Sequence, residues 1–163
     1  MATSTSPFPS TRRVVTGHNE EATAIVSRNN TLSTQLRDTG FGFARLWTTE
    51  EHPADIVSLQ DKALQNPGLA PKGSTFVMFD IPPRSKTALH RTATIDYIVV
   101  QKGKVTLGLD DGSRTLLEEG DVMIQQGTMH SWENETDEWT RLISVMIAAQ
   151  GVIINGKVLP SQY

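Results

Sequence analysis

The chain contains no cysteine. That absence excludes disulfides, thiolate nucleophiles and Cys-ligated zinc together, and leaves His and carboxylate as the strong metal ligands on offer. No apolar run is long enough to span a bilayer. Positive charge is not in excess either: 15 Lys and Arg stand against 18 Asp and Glu, for a net charge of −3. The charge balance therefore gives no electrostatic case for nucleic acid or an anionic membrane as partner. The opening residues, MATSTSPFPSTRR, lack the basic-then-apolar order of a signal peptide. Their Ser, Thr and Pro content suits a disordered lead-in, assigned to residues 1–11. By elimination, the expected location is the cytoplasm.

What is present reads as β-structure. A chain of 163 residues fits one domain with a sizeable core. From Ser74 onward short β-rich runs recur between turn residues: TFVMFDI at 75–81, TIDYIVV at 94–100, KVTLGLD at 104–110, DVMIQ at 121–125 and TRLISVMI at 140–147. Asp111-Gly112 is the strongest local hairpin signal, joining VTLGLD to SRTLLEE. Before residue 74, RRVVTGH at 12–18, ATAIVS at 22–27 and FGFARLW at 41–47 read as further strands. DIVSLQDKALQNPG at 55–68 reads as a helical turn or two, stopped by Pro67-Gly68. Strands at this spacing predict an all-β sandwich or barrel with little helix and an N-terminal arm.

Two of the four histidines, His18 and His52, sit in polar, turn-like surroundings and read as surface residues. His90 and His130 lie in patterned strand contexts. Side chains alternate along a strand, so His90, Thr92, Thr94 and Asp96 share one face and Arg91, Ala93, Ile95 and Tyr97 the other. His130, Trp132 and Asn134 likewise share a parity. Arg91 and Arg141 are each able to grip a carboxylate bidentately, although Arg91 falls on the outer face, where a neighbouring strand or subunit is the simpler partner. For any one histidine, a hydrogen-bonded barrel residue is the simplest reading. The pair together with Asp96 favours a working site.

Residues 82–103, PPRSKTALHRTATIDYIVVQKG, resemble the first cupin motif, G-x5-H-x-H-x3,4-E-x6-G. His90 takes the first His position, Asp96 the Glu position, and Gly103 closes the motif. Residues 120–134, GDVMIQQGTMHSWEN, resemble the second motif, G-x5-P-x-G-x2-H-x3-N, through Gly120, Gly127, His130 and Asn134. With the stretch between them the motifs cover roughly a third of the chain. The resemblance implies a cupin double-stranded β-helix, a jelly-roll barrel, over residues 12–163 as one domain. VVTGHN, HRT-x3-DY-x-VV, LDDGS and GDV-x-IQQGT-x-HSW-x-N look like the small single-domain cupins of fungal polyketide and secondary-metabolite gene clusters.

The departures shape the functional expectation. Thr92 stands where the second metal-binding His would be, Asp96 replaces Glu, and Gln125 or Gln126 replaces the second motif's Pro. The resemblance therefore implies a lyase of secondary metabolism, a decarboxylase or dehydratase, run by acid–base chemistry with no cofactor required. His90, Asp96 and His130 would be catalytic, with Thr92, Tyr97, Trp132 and Met129 contacting a small polyketide-like substrate. Tyr97 reaches inward only if a bulge turns it. One alternative is a metal-dependent oxidoreductase holding a divalent ion such as Fe or Zn through His90, Asp96 and His130, since two His and one carboxylate form a known iron-binding triad. Another is a non-catalytic small-molecule binder. The resemblance also implies a homodimer, paired through an outer sheet face with exchange of N-terminal strands.

Overall fold

The computed structural model describes residues 6–65 and 72–162. Fourteen strands follow one another among the described residues. A two-stranded ribbon comes first, β1 (Thr11–His18) with β2 (Ala24–Leu32). Then come β3 (Gln35–Leu36), β4 (Gly42–Thr49), β5 (Ser74–Ile81), β6 (Ser85–Lys86) and β7 (Thr94–Lys102). β8 (Lys104–Leu109), β9 (Arg114–Glu118), β10 (Val122–Gln126), β11 (His130–Asn134) and β12 (Thr140–Ala148) complete the barrel strands. A C-terminal hairpin, β13 (Val152–Ile154) with β14 (Lys157–Leu159), ends the series. Six strands form one sheet in the order β10-β7-β12-β5-β4-β3, and four form the facing sheet, β6-β11-β8-β9. No helix among the described residues is long and apolar enough to cross a membrane.

Alternation explains how the sheets face each other. In β7, Thr94, Asp96, Ile98 and Val100 are buried while Tyr97 and Val99 are exposed. Ile81, Ile98, Val100 and Leu142 from one sheet pack against Val105, Leu107 and Trp132 from the other. The β8–β9 turn closes at Gly112, whose φ of 84° is left-handed and whose position carries the expected hairpin.

Two expectations are corrected. Residues 6–11 are not a loose lead-in; residues 1–5 lie outside the described chain. Ser6 is buried and its hydroxyl donates to Asp80, and the Phe8 ring lies 4.7 Å from the Arg141 guanidinium. Residues 55–65 form no helical turn, and Pro67-Gly68 lie outside the described residues. Asp55 instead accepts the amides of Val57 and Ser58, and Asp61 accepts that of Ala63. Such local side-chain bonds compete with helix formation. Asp61 then binds Arg13 through two hydrogen bonds of 2.8 and 2.6 Å, strapping this segment onto β1.

Arg141 does grip a carboxylate bidentately, but the carboxylate is Asp80 on the adjacent strand. Nε donates to Oδ1 at 2.6 Å and Nη2 to Oδ2 at 2.7 Å. Ser6 and Thr34 also donate to Asp80, while Arg141 Nη1 donates to the Pro9 carbonyl at 3.1 Å. This fully desolvated pair locks the N-terminal arm to β5 and β12. Asp80→Ala leaves Arg141 buried without a counter-charge and should cost about 3–5 kcal/mol in urea denaturation. Asp80→Leu combined with Arg141→Leu should cost less than the single change, because no charge is then stranded.

Candidate active site

The site lies between the sheets, where residues 85–93 carry the chain from the four-stranded sheet to the six-stranded one. His90 pairs with His130 as an isolated antiparallel bridge, each amide donating to the other's carbonyl at 2.9 Å. This pairing brings the two imidazoles to 4.2 Å between ring centres. Trp132 follows on the same face of β11, 5.6 Å from the His130 ring and nearly perpendicular to it. Asp96 projects inward from β7 on the opposite sheet. All four residues, with Thr92, line one cavity of about 570 Å³. Its remaining wall is largely apolar and includes Phe41, Phe79, Ile98, Leu142 and Met146.

Both histidines are tied in the same way. His90 Nδ1 lies 2.9 Å from the Ala88 carbonyl and His130 Nδ1 lies 3.0 Å from the Thr128 carbonyl. A carbonyl oxygen only accepts, so each Nδ1 carries a proton, and His130, neutral above about 4, keeps its lone pair on Nε2. Behind His130, Gln125 Nε2 lies 3.1 Å from the same Thr128 carbonyl and 3.2 Å from His130 Nδ1. On the other sheet, the hydroxyls of Thr92 and Thr94 are 2.7 Å apart and Thr94 donates to the Asp96 carboxyl. Asp96 Oδ1 is buried with no protein partner.

Burial sets the charges. Desolvation pushes the Asp96 carboxyl up to about 6, against smaller opposing effects of the Thr94 hydrogen bond and His90. Desolvation also pulls His130 down to about 4, opposed by its bond to Thr128 and reinforced by His90. An acid and a base therefore share one cavity with their proton affinities displaced in opposite directions.

The structure thus brings together His90, Thr92, Asp96, His130 and Trp132. It does not bring in Tyr97 or Met129. β7 alternates without a bulge at Tyr97, so this ring is 46% exposed on the outer face beside Ile124. Met129 is one residue out of phase with His130 and is absent from the cavity lining. Arg91 faces away from the cavity as its parity requires, but it is buried rather than free at the surface. Its backbone pairs with Gln162 through bonds of 2.7 and 2.9 Å. His18 and His52 are exposed. Sequence reasoning missed the apolar wall and Ser144, although the inward parity of β5 and β12 would have found Phe79, Leu142, Ser144 and Met146.

The donors do not form a three-ligand metal centre. Among the described residues, no group of three or more His, Cys, Asp and Glu is placed to hold one ion. At the position of the missing ligand, the Thr92 hydroxyl is bonded to Thr94.

Comparison with known proteins gives a consistent picture. A family model described as "Cupin domain" matches residues 77–146. The chain is 31% identical over 157 residues to "Phomopsin biosynthesis cluster protein C'" of Diaporthe leptostromiformis, covering 90% of this chain and 83% of that one. It is 30% identical to "Cupin-domain-containing oxidoreductase srdB" of Neurospora crassa, covering 94% and 83%. In fold it is similar to the cupin domain of Schizosaccharomyces pombe Cnp3, with a TM-score of 0.55 at 12% identity over 84% of this chain and 87% of that one.

The displaced affinities of Asp96 and His130 act against each other in stability. Asp96 holds its proton in the fold up to about 6 but loses it near 3.8 when unfolded, so its contribution falls as pH rises across that window. His130 is protonated below 6.5 when unfolded but only below about 4 when folded, so its contribution falls as pH drops from 6.5 to 4. Asp96→Asn removes the first effect. The variant should be more stable than the parent at pH 7 by on the order of 1–3 kcal/mol. It should also lose stability more steeply on acidification from pH 6.5 to 4. Urea denaturation of both proteins across pH 4–7 measures this, and an unchanged pH 7 midpoint would contradict it.

Proposed function

This chain belongs to the cupins, and from that premise we propose that it is an enzyme of lyase type, acting on a small, largely apolar molecule held between the sheets. The observation that carries this reading is that His130 and Asp96 line one cavity with their proton affinities displaced in opposite directions. Between about pH 4 and 6 the imidazole is neutral while the carboxyl keeps its proton, the states a base and an acid need. In a dehydration, His130 Nε2 takes a proton from carbon, the C–H electrons become the new double bond, the C–O bond breaks and Asp96 protonates the leaving hydroxide to water. In a decarboxylation no C–H proton is taken: the C–C bond to the carboxylate breaks, its electron pair stays on carbon as carbon dioxide leaves, and the Asp96 proton goes to that carbon. His90 holds the His130 strand in register and opposes lasting protonation of its neighbour. Trp132 and Phe79 supply flat apolar wall.

Relatives whose names place them in fungal biosynthetic clusters support a secondary-metabolite substrate. Other relatives are named as oxidoreductases. The lining of this cavity favours acid–base chemistry, because its donors do not converge as a metal triad.

Turnover of small β-hydroxy ketones and β-keto acids, followed by mass spectrometry, tests the reading. His130→Ala and Asp96→Asn should each lower turnover by about 100- to 10,000-fold with the fold intact by circular dichroism. The parent's rate should be bell-shaped, with limbs near pH 4 and 6. A rate flat from pH 5 to 8 removes Asp96 as the acid. Oxidised product that appears only with Fe(II) and oxygen replaces this reading with the oxidative one.

A further inference from the structure

We infer that the ligand meets the histidine end of the cavity with a hydroxyl, enolic or phenolic, and not with a carboxylate. Resting on the acid–base reading above, this selects loss of water over loss of carbon dioxide.

The argument is an inventory of donors and acceptors. Both imidazoles spend their Nδ1 protons on backbone carbonyls, at 2.9 Å for His90 and 3.0 Å for His130. His130, neutral above about 4, therefore offers the cavity its Nε2 lone pair. Above about pH 6 Asp96 is a carboxylate and its Oδ1 is an acceptor, buried and without a partner. With Thr94 donating to Asp96, the Thr92 hydroxyl must donate to Thr94, so Thr92 also turns lone pairs toward the cavity. His130 and Asp96, from two sheets, thus present acceptors that no protein group satisfies, and Thr92 adds a third.

Positive charge is missing from the same place. Among the described lining residues the only Lys or Arg is Lys86, and its Nζ is 2.6 Å from Glu133 Oε1. Arg91, adjacent to His90 in sequence, points out of the cavity, and Arg141 is consumed by Asp80. A carboxylate at the histidine end would lose its hydration and face acceptors without a counter-charge, a combination that burial penalises heavily. A hydroxyl there donates to one of the waiting acceptors and brings no charge. Aromatic and aliphatic walls behind it suit a flat, uncharged body.

Isothermal titration of the full chain at pH 7.5 with 2-naphthol and with 2-naphthoate, probes of nearly equal shape, tests this without needing turnover. The naphthol should bind at least about tenfold more tightly. Asp96→Asn converts an acceptor into a partial donor and should narrow that ratio severalfold. Equal or tighter binding of the naphthoate overturns the inference, as does failure of both probes to bind. A ratio unchanged in Asp96→Asn places the probe elsewhere and overturns it too. The acid–base reading fails separately, if His130→Ala keeps full turnover while the preference for naphthol stands.

Discussion

The reciprocal backbone pairing of His90 with His130 is the constraint on which the rest of the site depends. Two amide–carbonyl bonds of 2.9 Å fasten the crossover segment 85–93 to the start of β11. Once they form, the imidazoles have no choice but to lie side by side, and the carbonyls two residues upstream of each dictate which nitrogen holds the proton. Thr87 reinforces the junction: its hydroxyl accepts the Trp132 amide at 2.9 Å, and its own amide donates to the Trp132 carbonyl at 3.0 Å. Asp96 then arrives from the facing sheet by strand alternation alone.

Around this junction, charge is sorted by face. Arg141 with Asp80 and Arg13 with Asp61 are bound outside the cavity, holding the N-terminal arm and the 55–65 segment against the barrel. Lys86 and Arg114 converge on Glu133, whose space depends on Gly108: a Cβ there would come within 2.9 Å of Glu133 Oε1. The interior is left with two imidazoles, of which burial keeps His130 neutral, and one carboxyl whose ionisation burial resists. Desolvation reaches such groups because the ion pairs lie elsewhere.

Much of this was legible in the sequence, for a simple reason. Strand parity is local, so Thr92, Asp96 and Trp132 could be placed on one face from their spacing, and the same parity put Tyr97 outside. Hairpin chemistry at Asp111-Gly112 is local as well. What stayed hidden depends on distant partners. Ser6 looked like part of a disordered tail because Asp80 and Thr34, which hold it, are remote in sequence. The helical reading failed over 55–65 because Asp55 and Asp61 capture nearby amides, and the second is then claimed by Arg13. The Nδ1 bonds of His90 and His130 go to the carbonyls of Ala88 and Thr128, whose directions no residue pattern records. Arg91 read as an outer-face residue paired with a neighbouring strand or subunit, but nothing in its neighbourhood announces that its backbone partner is Gln162.

That last pairing has a practical side. Arg91 joins Gln162 on one flank of the crossover and His90 joins His130 on the other, and the Ala149 amide donates to the Ala93 carbonyl at 3.0 Å. The crossover is thus held between β11 and the chain's last described residues. A change at Gln162 therefore reaches the segment that carries His90 through backbone bonds, without passing through a barrel strand.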